Sequence, residues 1–318
     1  MTQTPGQSPL KLLVAALGIL LVIVALACGR AATATPPPPA SNGQDSQFAT
    51  PGPDGITPIL ATRVLEAGRQ RVSFLLADRQ GLIQSPQARL TATHLGEGEA
   101  LVRSGTAAFH LWPYGIRGAY SADLDLDRVG EWQLEVLVDD GGTERQARLI
   151  LEVTADSPVP NLGSVPPRSE TRTLASAGSL EQLTTDFTPD AELYQLTVRE
   201  AIESGVPSVI VFATPAFCTS ATCGPQVDTV TELKEVHRGR ANFVHVEVYA
   251  NPHEIQGDLS RAVLSEAVHE WGISEIPGWF NESWTFVLDS RGTVSQRFEG
   301  YATLEELEVA LQAALAAG

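Results

Sequence analysis

Sulfur and positive charge are both scarce in this chain of 318 residues. Met1 is its only methionine, so the thioether ligands that soft-metal sites favour are lacking beyond the first position. Three cysteines cannot make a zinc quartet. Lys and Arg number 21 against 38 Asp and Glu, a formal charge of −17. That balance argues against nucleic acid, whose binding relies on neutralising phosphates, and against adsorption to anionic lipid through the protein surface. No Gly-rich phosphate loop and no Ser-His-Asp arrangement stands out. What is present is a composition of 43% hydrophobic and 19% charged residues, able to bury real cores over more than one folded unit.

One long apolar run exists, from Leu12 to Cys28 behind Lys11, and it reads as an export segment. Ala25-Leu26-Ala27-Cys28-Gly29 resembles a bacterial lipobox, which implies lipidation of Cys28, although Ala25 stands where lipoboxes usually carry Leu. An uncleaved membrane anchor and a plain secreted chain are the other readings. Lipidation of Cys28 leaves Cys218 and Cys223 as a natural pair in an oxidising compartment. Residues 29–55, with four consecutive prolines, form a stiffened tether.

Residues 56–154 change to short alternating runs bounded by Gly, Asp and Pro. Strands are expected at 71–76, 88–93, 119–126, 132–138 and 147–153. The stretch from Gly118 turns at Gly130 into a second alternating strand, and resembles the late hairpin of immunoglobulin-like and copper-binding-type sandwich domains of exported bacterial proteins. The resemblance implies an all-β immunoglobulin-like sandwich. Residues 155–190 read as a polar, Pro-rich linker. Over 191–318 the texture becomes α/β: a helix over 193–202, a strand at 208–213, a helix from about Pro225, a strand at 242–249, a helix over 259–271, strands at 284–288 and 293–298, and a helix from Leu304 behind a Thr303/Glu306 capping box. The resulting order, βαβαββα, resembles the thioredoxin fold. The expected fold class is thus multidomain, a sandwich followed by an α/β thioredoxin-like domain.

The sequence Val209-Ile-Val-Phe-Ala-Thr-Pro-Ala-Phe-Cys218-Thr-Ser-Ala-Thr-Cys223-Gly-Pro places one cysteine beyond a buried strand and the other before a helix. A helix N-terminus stabilises a thiolate, the reactive form of cysteine. The segment resembles membrane-anchored bacterial thioredoxin-like proteins, which implies that Cys218 is the attacking thiol and Cys223 the resolving one. Four residues separate the cysteines where thioredoxins have two. In one continuous helix the pair would diverge by ~140°, so Thr219-Ser-Ala-Thr222 must loop out. The family also places a cis-proline opposite the pair, just before a strand. Strand adjacency puts Ser283 there, in Glu282-Ser283-Trp284 where such relatives commonly read Glu-Pro-Trp; Pro277 is the other candidate. Phe217, Pro277, Ser283 and Trp284 are the expected substrate-facing residues.

His237, His245, His253 and His269 invite a copper reading, but His237 and His253 read as solvent-facing and His245 as a satisfied strand residue. His94 and His110 pair only if register joins them. No metal or other cofactor is expected. A peroxidase reading fails because Thr214-Pro215 does not supply the residues needed ahead of the cysteine, and Asn281-Glu-Ser283 is a chance glycosylation match. The expected function is thiol–disulfide exchange, as a thiol–disulfide oxidoreductase, with exported or membrane proteins, on the outer side of a bacterial membrane and without nucleic acid. The alternatives are a non-enzymatic binding module with a structural disulfide, and a copper-handling protein.

Overall fold

Alternation of apolar and polar residues decides the first half of the fold. The computed structural model describes residues 52–317 apart from 99, 114 and 116; the export segment with Cys28, and the tether up to residue 51, lie outside the described residues. Eight strands, β1 (Thr57–Leu60), β2 (Gly68–Asp78), β3 (Gly81–Leu82), β4 (Gln87–His94), β5 (Val102–Leu111), β6 (Gly118–Leu126), β7 (Gly130–Asp140) and β8 (Thr143–Val153), form one antiparallel sheet in the order β1-β2-β6-β5-β4-β7-β8, with β3 paired to β2. Along β7 and β8 every second residue points inward, and the register sets Trp132 opposite Leu151, Leu134 opposite Leu149 and Val136 opposite Ala147. The sheet curls round a single core containing Phe74, Leu90, Tyr120, Trp132 and Leu134. Its two ends approach each other where Thr154 N donates to Leu65 O at 3.0 Å.

This corrects the expected sandwich of two sheets. The unread strand β5 bridges the gap, pairing with β4 on one side and β6 on the other. Only Ala107 of β5 is fully buried, so its sequence carries little apolar alternation to read. The expected β6–β7 hairpin is also corrected: β6 pairs with β2 and β5, β7 with β4 and β8, and the turn before Gly130 joins strands that are not neighbours.

The second half holds four strands, β9 (Ser208–Ala213), β10 (Asn242–Glu247), β11 (Trp284–Leu288) and β12 (Val294–Glu299), in the order β10-β9-β11-β12. β10 runs parallel to β9, and β11 and β12 pair antiparallel. All six residues of β9 are buried because both faces are covered, which explains its unbroken apolar run. The helices of this half are α1 (Leu174–Ala177), α2 (Val198–Glu203), α3 (Cys223–Val236), α4 (Pro252–Ile255), α5 (Glu266–Glu270) and α6 (Leu304–Ala316). Val209 and Val211 face the cluster of α3 and α6, while Ile210 and Phe212 face that of α2 and α5. The Thr303/Glu306 capping box is formed.

Three elements differ from expectation. The helix over 193–202 breaks into a 3₁₀ turn, Ala191–Tyr194, and α2, because Thr197 caps α2 with Glu200 returning the bond. The helix over 259–271 gives way to a 3₁₀ turn and the short α5, since residues 262–265 bond to the strand end instead: Ala250 N donates to Val263 O and Ser265 N to Val248 O, both at 2.8 Å. The segment 155–190, expected as a linker, packs along its length. Val159 is buried beside α2 and Leu183 beside α3, and Thr173 with Ser176 caps a helical turn at Leu174–Ala177.

The described residues belong to one compact unit, 41–318. Charged pairs join its two halves: Arg63 to Glu299 and Arg71 to Glu306, each at 2.7 Å, and Arg297 to Glu66 at 3.6 Å. Burial alone would raise the Glu306 carboxyl, but the Arg71 guanidinium, with help from Thr303 and Ser121, holds it down at about 2. Glu306 thus caps α6 and receives Arg71 from β2 and Ser121 from β6. No described helix is long and apolar enough to cross a membrane.

Candidate functional site

The loop after β9 delivers both cysteines to the start of α3. Cys218 and Cys223 are disulfide-bonded with Cα atoms 5.7 Å apart. α3 begins at Cys223, two residues earlier than expected, and the four intervening residues stay out of the helix with Ala221 at φ +61°. That excursion brings cysteines five apart within bonding reach. Thr222 offers α3 no side-chain cap. Instead the Cys223 N–H, the first of the helix's orphan donors, points to Cys218 Sγ at 3.2 Å. Cys218 is half-buried, whereas Cys223 is fully buried.

The loop is held from the opposite side by the segment before β11. Thr219 Oγ1 donates to Phe280 O at 2.7 Å, and Ser220 Oγ donates to Glu282 Oε2 at 2.6 Å. Burial pushes the Glu282 carboxyl up, and the Ser220 hydroxyl opposes that shift. Asn281 O lies 3.2 Å from Cys223 Sγ. Asn281 is buried at φ +57°, a conformation that asparagine tolerates better than most residues, and its side chain donates to Phe217 O and accepts from the Tyr249 hydroxyl. Beside the loop, a cleft of about 260 Å³ runs between Thr219, Ser220 and Phe280 on one wall and Leu60, Arg63 and Trp112 on the other.

Of the residues expected to face a substrate, Phe217 is half-buried, packing edge-on to Tyr249 with ring centroids 6.1 Å apart. Pro277 sits exposed in the turn Ile276–Gly278, while Asn281–Ser283 is the segment that meets the disulfide region. Ser283 and Trp284 are corrected to interior positions: Ser283 is fully buried with its hydroxyl on Gly300 O, and Trp284 opens β11 inside the core, stacked near Phe286. Sequence reading missed Ser220, Glu282, Asn281 and Arg63. Asn281 had a usable signal, since an asparagine among Gly, Trp and Phe before a strand is a natural left-handed residue.

The histidines do not converge. His237, expected in solvent, is buried with Nε2 2.6 Å from Glu308 Oε2. Burial takes the His245 imidazole down to about 4, so it is neutral; Nε2 donates to Ala213 O and Nδ1 accepts from Tyr194 OH. His269 and His253 are exposed. Register sets His94 and His110 at opposite ends of β4 and β5. The carboxylates of Asp190, Glu192 and Glu235 cluster, but Lys234 Nζ already sits among them.

No protein-family model and no curated protein matches the chain. A solved structure that it resembles is a thiol:disulfide interchange protein, a thioredoxin family protein from Chlorobium tepidum TLS, at 14% identity and a TM-score of 0.30, covering 43% of this chain and 98% of that one. A likeness of this size assigns the chain neither a fold nor an activity.

Proposed function

We propose that the chain is an extracytoplasmic, membrane-tethered bacterial protein whose residues 191–318 form a thioredoxin-like domain, and that it exchanges disulfides with exported proteins through Cys218 and Cys223. The sheet order β10-β9-β11-β12 with helices on both faces supports the fold reading. The observation that carries the chemistry is the Cys223 N–H aimed at Cys218 Sγ at the start of a 14-residue helix. A free Cys218 thiolate would receive that hydrogen bond and the helix's partial positive charge.

In the exchange, a partner thiolate attacks Cys218 Sγ, the bond to Cys223 breaks, and Cys223 leaves as a thiolate at the N-terminus of α3. Either a second thiolate or Cys223 itself then resolves the mixed disulfide. Cys223 is buried against Asn281, so Cys218 is the sulfur open to attack. The test is trapping: Cys223→Ser should accumulate mixed disulfides at Cys218, and Cys218→Ser should accumulate none. A second reading, a structural clip, is favoured by the full burial of Cys223 and by the Thr219 and Ser220 anchors. It requires that neither variant form mixed disulfides and that both unfold at lower temperature.

A further inference from the structure

Ser220 stands between the disulfide and a carboxyl that the exchange chemistry leaves unused. It belongs to the residues that loop out between the cysteines, and its Oγ lies 3.6 Å from Cys218 Sγ. The same oxygen is 2.6 Å from Thr222 Oγ1 and 2.6 Å from Glu282 Oε2. A serine hydroxyl has one proton to give and two lone pairs to offer. Here the proton goes to Glu282, so the Thr222 hydroxyl must donate to Ser220, and Cys218 Sγ is left with the Cys223 N–H.

The surroundings of Glu282 leave Ser220 as the hydrogen-bond partner of its side chain among the described residues. Burial pushes the carboxyl up; the Ser220 hydroxyl and the Arg63 guanidinium pull it down, and the Glu299 carboxyl pushes it up. Arg63 is committed elsewhere, to Glu299 Oε1 and to Gly278 O, each at 2.7 Å. Tyr301, also on this side of the cleft, lies with its hydroxyl 3.2 Å from Thr229 Oγ1.

We infer that Glu282 acts through Ser220 as a positioning residue for the Cys218 thiolate, by deciding which way the Ser220 hydroxyl points. This rests on the exchange reading, run in the direction in which the reduced Cys218 attacks a partner disulfide. Ionised Glu282 takes the Ser220 proton and leaves the thiolate with the Cys223 N–H. Neutral Glu282 donates its own proton to Ser220 Oγ, and the Ser220 hydroxyl turns onto Cys218. Ser220 still accepts two bonds and donates one, the thiolate gains a second donor, and the thiol proton leaves to solvent. The ionised carboxyl thus restrains the attacking sulfur, and the neutral carboxyl releases it.

The test is a double-mutant cycle of Glu282→Gln and Ser220→Ala in the full-length protein, with Cys223→Ser carried throughout so that Cys218 is the one cysteine of the loop. Alkylation of Cys218 by iodoacetamide is followed over a pH series. Gln matches Glu in size and can donate its amide to Ser220, so it copies the neutral state; Ser220 is half-buried on a loop, so its truncation spares the cores. Glu282→Gln should lower the pH midpoint of alkylation by about one unit, a tenfold gain in thiolate. Without the Ser220 hydroxyl the same substitution should move the midpoint by no more than about half as much, because the charge then acts through space alone. No shift, or equal shifts in the two backgrounds, would overturn the inference. A parent protein that forms no glutathione mixed disulfide at Cys218 overturns the exchange reading and this inference with it. One that forms it while the two shifts are equal overturns this inference alone.

Discussion

The eight-stranded sheet and the four-stranded sheet enclose apolar cores of similar residue types, but they differ in what else they bury. The curled sheet buries Phe74, Tyr120, Trp132 and alternating aliphatics, and its buried polar residues are few and lie near strand ends or the joint with the other half. The four-stranded half buries His245, Glu247, Asn281, Asp289, Arg297 and Glu299. Such groups are costly unless paired, and their concentration marks where conformation is specified by hydrogen bonds and charge. One half is therefore held mainly by packing, the other by packing plus a polar network. Between pH 5 and 8, above the range where the Asp78 carboxyl paired with Arg145 titrates, stability of the first should vary less with pH than stability of the second.

Breaking the packing should give the largest effect. Trp132→Ala removes a fully buried indole from the curled sheet and should lower unfolding free energy by about 3–5 kcal/mol in urea, equally at pH 5 and pH 8. At the joint, Arg71→Ala leaves Glu306 buried without its guanidinium and should cost about 3 kcal/mol at pH 7. The folded Glu306 carboxyl lies at about 2, below the unfolded value of about 4.3, so its contribution is present above pH ~4.3 and lost as pH falls through about 2. The Arg71→Ala deficit should shrink over that window; a deficit constant down to pH 2 would show that lost packing alone is responsible.

Glu247 has the opposite sign. Burial raises its carboxyl to about 7 against the bonds from Thr185, so the folded state holds the proton more tightly than the unfolded chain. Its stabilising effect is complete below pH ~4.3 and is lost as pH rises through about 7, a change on the order of 3 kcal/mol. Thermal melts of Glu247→Gln should show a flatter pH dependence than the parent between pH 4.5 and 7.5. Parallel profiles would remove Glu247 from the account. The smallest effect belongs to the surface: Arg69→Ala breaks the exposed pair with Asp123 and should change stability by about 0.5 kcal/mol or less, measured by the same melts.

How much the sequence disclosed follows the range of the interaction. The alternation of β7 and β8, the apolar run of β9 and the capping box of α6 depend on neighbours a few residues away, and they were legible. β5 was not, because its residues are small or polar and it is recognised only through the strands that it joins. At the site, the cysteines and the need for a looped-out spacing could be read. The grip of Glu282 on Ser220, across 62 positions, could not. The clamp of Arg63 on Glu299 spans 236 positions, and the partner that buries His237 lies 71 positions away. Ser283 and Trp284 were misplaced for a local reason. The strand start points to Ser283 as the neighbour of the disulfide, whereas the chain meets the cysteines two residues earlier, at the left-handed Asn281.

The most direct measurement is the redox equilibrium of Cys218–Cys223 in the full-length protein against glutathione. An exchange-active pair, with the Cys218 thiolate stabilised by the Cys223 N–H, is expected to equilibrate at a potential above about −300 mV and to pass through a glutathione mixed disulfide at Cys218. A potential well below about −300 mV, with no mixed disulfide at any glutathione ratio, would contradict it and leave the bond as a structural clip.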